Sequence, residues 1–97
     1  MAINESKVSE LEQVGFKRWT KGNLDRLYIN AAQLGLRCEY YNTGNVRDAW
    51  FDGVSVSNCE ARRMKAAKTY IDIKTGQVFG DNDRLKAAAA RLAGIDD

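Results

Sequence analysis

The segment from Asp52 to Phe79 reads as strand, capped helix and hairpin, and it fixes what the rest of the chain can build. Gly53-Val54-Ser55-Val56 is a short strand. Ser57 stands three residues before Glu60, a capping box in which each side chain can satisfy an orphan backbone N–H at a helix start. The helix it opens is predicted over residues 58–68. Thr69, Ile71 and Ile73 then alternate with Tyr70, Asp72 and Lys74, which gives a strand one buried and one wet face. Lys74-Thr75-Gly76-Gln77 supplies the turn, with Gly76 free to take positive φ.

The flanking segments supply the partners. Asn4 to Val14 is a short helix with Asn4 as cap, Glu5 in its first turn, Val8 and Leu11 as its apolar stripe and Gly15 at its end. Phe16 to Thr20 is a strand that places Lys17, Trp19 and Lys21 on one face. Lys21-Gly22-Asn23 turns it, and Arg26 to Ile29 returns. One helical turn, capped by Asn30 and closed by Gly35, leads into a strand over residues 36–41. After the turn Asn42-Thr43-Gly44-Asn45, Val46 to Phe51 pairs back. Its alternation puts Val46, Asp48 and Trp50 opposite Arg47, Ala49 and Phe51. Asp52-Gly53 is a tight-hairpin dipeptide. A last helix is predicted over residues 82–93, capped by Asp81 or Asp83. Its packed face is Leu85, Ala88, Ala89, Leu92 and Ile95, Lys86 and Arg91 stay wet, and Gly94 closes it. The expectation is a single α+β domain over residues 1–97. A small antiparallel sheet of hairpins carries an N-terminal helix, the capped middle helix and the C-terminal helix.

Composition removes several chemistries. The chain has no histidine, so neither Ser-His nor Cys-His activation nor a histidine-ligated metal is available. Cys38 and Cys59 are too few for a Cys/His structural zinc site and read as reduced, buried small hydrophobes. No cofactor and no metal are expected. No apolar run approaches the ~20 residues of a membrane helix, and Met1 to Lys7 lacks the apolar core of a signal peptide, so the expected location is cytoplasmic, away from membranes.

The net charge is +2, from 15 basic and 13 acidic residues, but it is unevenly spread. From Lys17 to Arg47, the cations Lys17, Arg18, Lys21, Arg26, Arg37 and Arg47 face only Asp25 and Glu39. From Ala61 to Lys74, Arg62, Arg63, Lys65, Lys68 and Lys74 face only Asp72. Glu5, Glu10, Glu12, Asp81, Asp83, Asp96 and Asp97 gather toward the ends.

Three groups are candidate sites. On the middle helix Ala61, Met64 and Ala67 share one side. Arg62 and Lys65 point away from it, and Arg63 and Lys68 flank them. That face suits phosphates or an acidic protein patch, and it is also what a solvated helix carries. The aromatics Trp19, Tyr28, Tyr40, Tyr41, Trp50, Phe51 and Tyr70 suit base stacking, a protein hot spot or plain core packing. Trp19 between Lys17 and Lys21 is the best stacking candidate. Asp48, Asp52, Asp72, Asp81 and Asp83 are the carboxylates a magnesium nuclease would need, although Asp52 sits in a turn and Asp81 or Asp83 caps a helix.

Trp19-x-Lys21-Gly22-x-x-Asp25-Arg26-Leu27-Tyr28-Ile29, Leu34-Gly35-Leu36, Tyr41-Asn42-Thr43-Gly44-Asn45 and Ser57-Asn58-x-Glu60-Ala61-Arg62 carry a resemblance. Over roughly residues 16 to 79 they resemble small uncharacterised proteins of phages and mobile elements in gut bacteria. The resemblance implies a setting and no activity. Small proteins of that setting bind and block host machinery, anti-CRISPR proteins among them. The expectation is therefore a non-catalytic module that binds a host protein or protein–nucleic-acid complex. Its expected contact residues are Arg62, Lys65, Arg63, Lys68, Trp19, Lys17 and Lys21. Direct nucleic-acid binding by the same residues is the alternative, and a small magnesium nuclease the third reading. A sheet edge left open would also permit a homodimer.

Overall fold

The computed structural model describes residues 2–95. Asp96 and Asp97, counted above among the terminal acids, lie outside them. Helix α1 spans Glu5–Gln13. The hairpin β1 (Lys17–Lys21) and β2 (Leu24–Ile29) follows. A 3₁₀ helix, Ala31–Leu34, leads into β3 (Leu36–Tyr40), β4 (Val46–Phe51) and β5 (Val54–Val56). Helix α2 is Asn58–Ala66, and then come β6 (Thr69–Asp72), β7 (Val78–Gly80) and α3 (Asp83–Ala93). All pairings are antiparallel. The fold is α+β, as expected, with its strands divided between two sheets of order β1-β2-β6-β7 and β3-β4-β5. The pairing of β2 with β6 makes the second sheet and α2 an excursion between two neighbouring strands of the first.

Each sheet has its own core. Val8 and Leu11 of α1 pack with Leu27, Ile29, Ile71 and Val78 on the inner face of the first sheet. Ala61 and Met64 of α2 pack with Leu36, Ala49 and Phe51 of the second. Helix α3 serves both, giving Leu85 and Ala88 to one core and Ala89, Ala90 and Ala93 to the other. Its alanines let the helix lie close between the two sheets. The buried face therefore changes along the helix, and the side that carries Leu85 and Ala88 is left at an open cleft one turn later. Leu92, expected inside, is 41% exposed, and Ala93 is buried in its stead. The stem of Lys86 is half-buried against Gly80 rather than wet.

Local chemistry sets the boundaries. Ser57 Oγ accepts the Glu60 N–H at 3.1 Å and starts α2. The other arm of the box turns outward, and the Glu60 carboxylate meets Arg84 of α3 at 3.2 Å. Helix α2 ends at Ala66, earlier than the predicted 68, because Ala67 is extended and Lys68 is drawn toward β7: its N–H donates to Asp81 Oδ2 and its carbonyl accepts from the Asp81 N–H, both at 3.3 Å. With Asp81 so engaged, Asn82 caps α3, accepting from the N–H groups of Arg84 and Leu85. Asp52 at φ 53° and Gly53 at φ 79° form the tight turn that the dipeptide predicts. A register shift at Glu39/Tyr40 leaves Val46 buried with Ala49 and Phe51, so strict alternation fails along β4. Cys59 is exposed on α2 and Cys38 is half-buried, so neither is a fully buried small hydrophobe; both are free thiols.

Arg18 ties α1 to the first sheet. Its guanidinium donates to both carboxylate oxygens of Glu5 (2.8 and 3.0 Å) and both of Asp25 (3.0 and 2.8 Å).

Candidate functional site

Helices α1 and α3 both cover the inner face of the first sheet, and the outer face stays open. Register aligns its side chains. Lys17 lies opposite Tyr28 and Trp19 opposite Arg26. Arg26 lies opposite Asp72, and Tyr28 opposite Tyr70. Tyr70 in turn lies opposite Phe79. Each of the four strands thus gives one aromatic ring to an unbroken row. Trp19 meets Tyr28 edge-on at 6.1 Å, Tyr28 meets Tyr70 at 5.0 Å, and Tyr70 stacks on Phe79 at 5.2 Å. Arg26 completes the row. Its guanidinium carbon lies 4.4 Å from the Tyr70 centroid and 5.7 Å from that of Trp19, and Nη1 donates to the Tyr28 hydroxyl at 3.0 Å. That hydrogen bond, ahead of the opposing effect of burial, holds the guanidinium pKa above its ordinary value.

This geometry decides what the row can do. Tyr70 is flanked by Phe79 on the β7 side and by Arg26 and Tyr28 on the β2 side, so its ring faces are occupied. The row is a packed ridge with exposed ends, Trp19 at 39% and Phe79 at 38%, rather than a set of empty stacking platforms. Lys17 and Lys21 flank Trp19, and Asp72 is the one acid in register with the row.

The remaining predicted contact residues lie elsewhere. Arg62, Arg63 and Lys65 are exposed on α2, as expected. Lys65 is not free: its Nζ donates to the Tyr40 hydroxyl at 2.6 Å and sits 4.6 Å from that ring's centroid. This phenol hydrogen bond is the main cause that raises the Lys65 pKa. Lys68 has left the helix and lines a cleft with Lys17 and Tyr28. The expected single surface of helix cations and strand aromatics is therefore two surfaces, which share Lys17 and Tyr28.

The other aromatics scatter. Phe51 is core, Trp50 lies under Arg37 on the outer face of the second sheet (5.1 Å), and Tyr41 is exposed in a turn. Arg26, within the row, and Phe79, at its end, stand out only once β2, β6 and β7 are known to be neighbours.

The five acids of the nuclease reading stand apart. Asp48 pairs with Arg47, Asp72 accepts from the Lys74 N–H, and Asp81 accepts from the Lys68 N–H. Asp52 sits in the tight turn and Asp83 in the first turn of α3. Among the described residues no group of three or more acidic or cysteine side chains is placed to share a metal ion. No helix among them is long and apolar enough to cross a membrane. No protein-family model matches the chain, and neither a curated protein nor a solved structure shows significant similarity to it.

Proposed function

We propose that the chain is a non-catalytic binding module that docks a partner protein on the open face of its first sheet. One observation carries this reading: Trp19, Tyr28, Tyr70 and Phe79 form a contiguous row across all four strands, with Arg26 set among them. Tryptophan, tyrosine and arginine are the residues in which protein-binding energy concentrates. Held by mutual packing, they lose little rotamer entropy on binding, so more of the contact energy appears as affinity. The flanking Lys17 and Lys21 call for a partner patch with an apolar centre and an acidic rim. On the resemblance to phage and mobile-element proteins, that partner is a host protein, alone or in a complex with nucleic acid. An inhibitor of host defence is one form this takes.

The test is capture from host lysate with the wild type and with a Trp19→Ala, Phe79→Ala double variant, each with and without nuclease treatment. The expected result is a protein captured by the wild type after nuclease and lost with the double variant. Equal capture by both, or capture that vanishes with nuclease, would overturn the docking face.

A further inference from the structure

A second surface runs along the seam between the two sheets. Helix α2 packs mainly over β4, so the inner side of the edge strand β3 is left as the floor of a cleft of about 460 Å³, walled by the 3₁₀ helix and Lys65. At Asn30 it adjoins a cleft of about 270 Å³ lined by Lys17, Tyr28, Gln33 and Lys68. At Tyr40 and Lys65 it adjoins a third, of about 360 Å³, lined by Arg62 and Asn45. Every one of the three clefts has a cation in its wall, and none has a carboxylate. In a chain with 13 acids, that exclusion leaves a strip of positive potential.

The uncharged groups point the same way. The Asn30 Oδ1 is taken by the Gln33 N–H, which leaves its amide NH₂ to donate. Among the cations stand two phenols, Tyr40, 46% exposed with the Lys65 ammonium on one side of its ring, and Tyr28, whose ring is packed in the aromatic row. Cations spaced along a track with an exposed aromatic ring among them match a polymer that alternates charge with flat bases. A duplex would span clefts of this size rather than enter them. An acidic peptide strand calls for repeated apolar pockets, whereas only the middle cleft has an apolar floor, Ala31, Ala32 and Leu36.

We infer that this groove binds a short single-stranded nucleic acid, its phosphates met by Lys17, Lys68, Lys65 and Arg62. The groove meets the aromatic docking face at Lys17 and Tyr28 and runs away from it toward Lys65 and Arg62. A fluorescently labelled, mixed-sequence single-stranded oligonucleotide titrated across a salt series tests it. Four phosphate contacts give a slope of log K against log salt near −3, at about 0.7 per contact for single strands. Arg62→Glu with Lys68→Glu should weaken binding about tenfold or more and reduce the slope by about 1.4. Phe79→Ala, at the far end of the aromatic row from Lys17 and Tyr28, should leave both unchanged. Independently of any variant's folding, lysine acetylation of the wild type should show Lys65 and Lys68 protected by the oligonucleotide and Lys21 and Lys74 unprotected. Absence of binding at low salt, affinity untouched by the double reversal, equal binding of polyglutamate, or uniform protection of all four lysines would each overturn the inference.

Discussion

The Arg26 guanidinium carbon lies 4.4 Å from the centroid of the Tyr70 ring, across the β2–β6 pairing. The contact needs a plane as well as a charge, because the same group reaches the Tyr28 hydroxyl and approaches Trp19. Lysine keeps the charge and loses the plane and the fork. Arg26→Lys should therefore loosen the row. In a Trp50→Phe background, Trp19 emission should shift to the red. Affinity for a partner docked on this face should fall by about tenfold. Unchanged emission and affinity would mean that the rings hold their arrangement without the guanidinium.

Leu85 is fully buried at the point where α3 enters the second core, while Ala89, Ala90 and Ala93 of the same helix fill the first. Leu85→Ala leaves a cavity that costs about 2–5 kcal/mol. Because one rigid helix belongs to both cores, the loss should be felt in both sheets. Trp19 reports on the first sheet and Trp50 on the second. Denaturant unfolding followed by each tryptophan alone, with the other changed to phenylalanine, should give one shared midpoint, lowered equally by Leu85→Ala. Two separated midpoints would show that the sheets unfold independently.

The same helix shows where sequence reasoning stops. Caps, turns and hairpins are local, and they were legible: Asn4, Asn30 and Ser57 cap as their residue types demand, and Gly22, Gly76 and Gly94 take positive φ. The alternation of β6 puts Tyr70 on the side away from the core, where it lies half-buried, and that of β1 groups Trp19 with Lys17 and Lys21. What local pattern could not carry was partnership at a distance. Nothing near Arg26 in the chain announces Asp72 and Tyr70 as neighbours, so the aromatic row is not legible in the sequence although Trp19, Tyr28 and Tyr70 stand out singly. Leu92 was misplaced for a related reason. The 3.6-residue period assumes one buried face along the whole helix. Helix α3 instead meets the second core with Leu85 and Ala88 and the first with Ala89, Ala90 and Ala93, so Leu92, which continues the side of Leu85 and Ala88, is left at an open cleft. Lys68 was misplaced because strand pairing outcompeted a helix that local propensity would have continued.

Ser57 Oγ accepts the Glu60 N–H at 3.1 Å, while the Glu60 carboxylate is committed to Arg84. Only one arm of the capping box is closed, so Ser57→Ala removes a single cap. It should cost about 1 kcal/mol and lower Tm by about 4–8 °C in a domain of this size. Glu60→Gln should cost less, since its partner is a largely exposed arginine. If thermal melts placed the two variants in the opposite order, the ion pair to α3, and not the hydroxyl cap, would be what secures the start of α2.

The clamp of Arg18 on Glu5 and Asp25 makes the docking of α1 sensitive to acid. Both carboxyls are held below their ordinary values, first by hydrogen bonds from Arg18 and then by its charge, against the opposing effect of desolvation. A carboxyl lowered in the folded state contributes fully above its ordinary unfolded value, and the contribution is lost as pH falls through the folded value. Amide protection across α1 should therefore persist from neutral pH down to the ordinary carboxylate values and decline from there as pH falls toward the lowered folded ones. Arg18→Met should lower that protection at neutral pH, and its difference from the wild type should shrink toward zero in acid. Added salt should weaken the Glu5 arm, which is 76% exposed, more than the Asp25 arm, at 19%. Hydrogen exchange of the amides from Glu5 to Gln13, followed against pH and salt for both proteins, measures each of these differences. A gap between variant and wild type that stayed constant into acid would show that Arg18 steadies α1 by packing and not through its two carboxylate pairs.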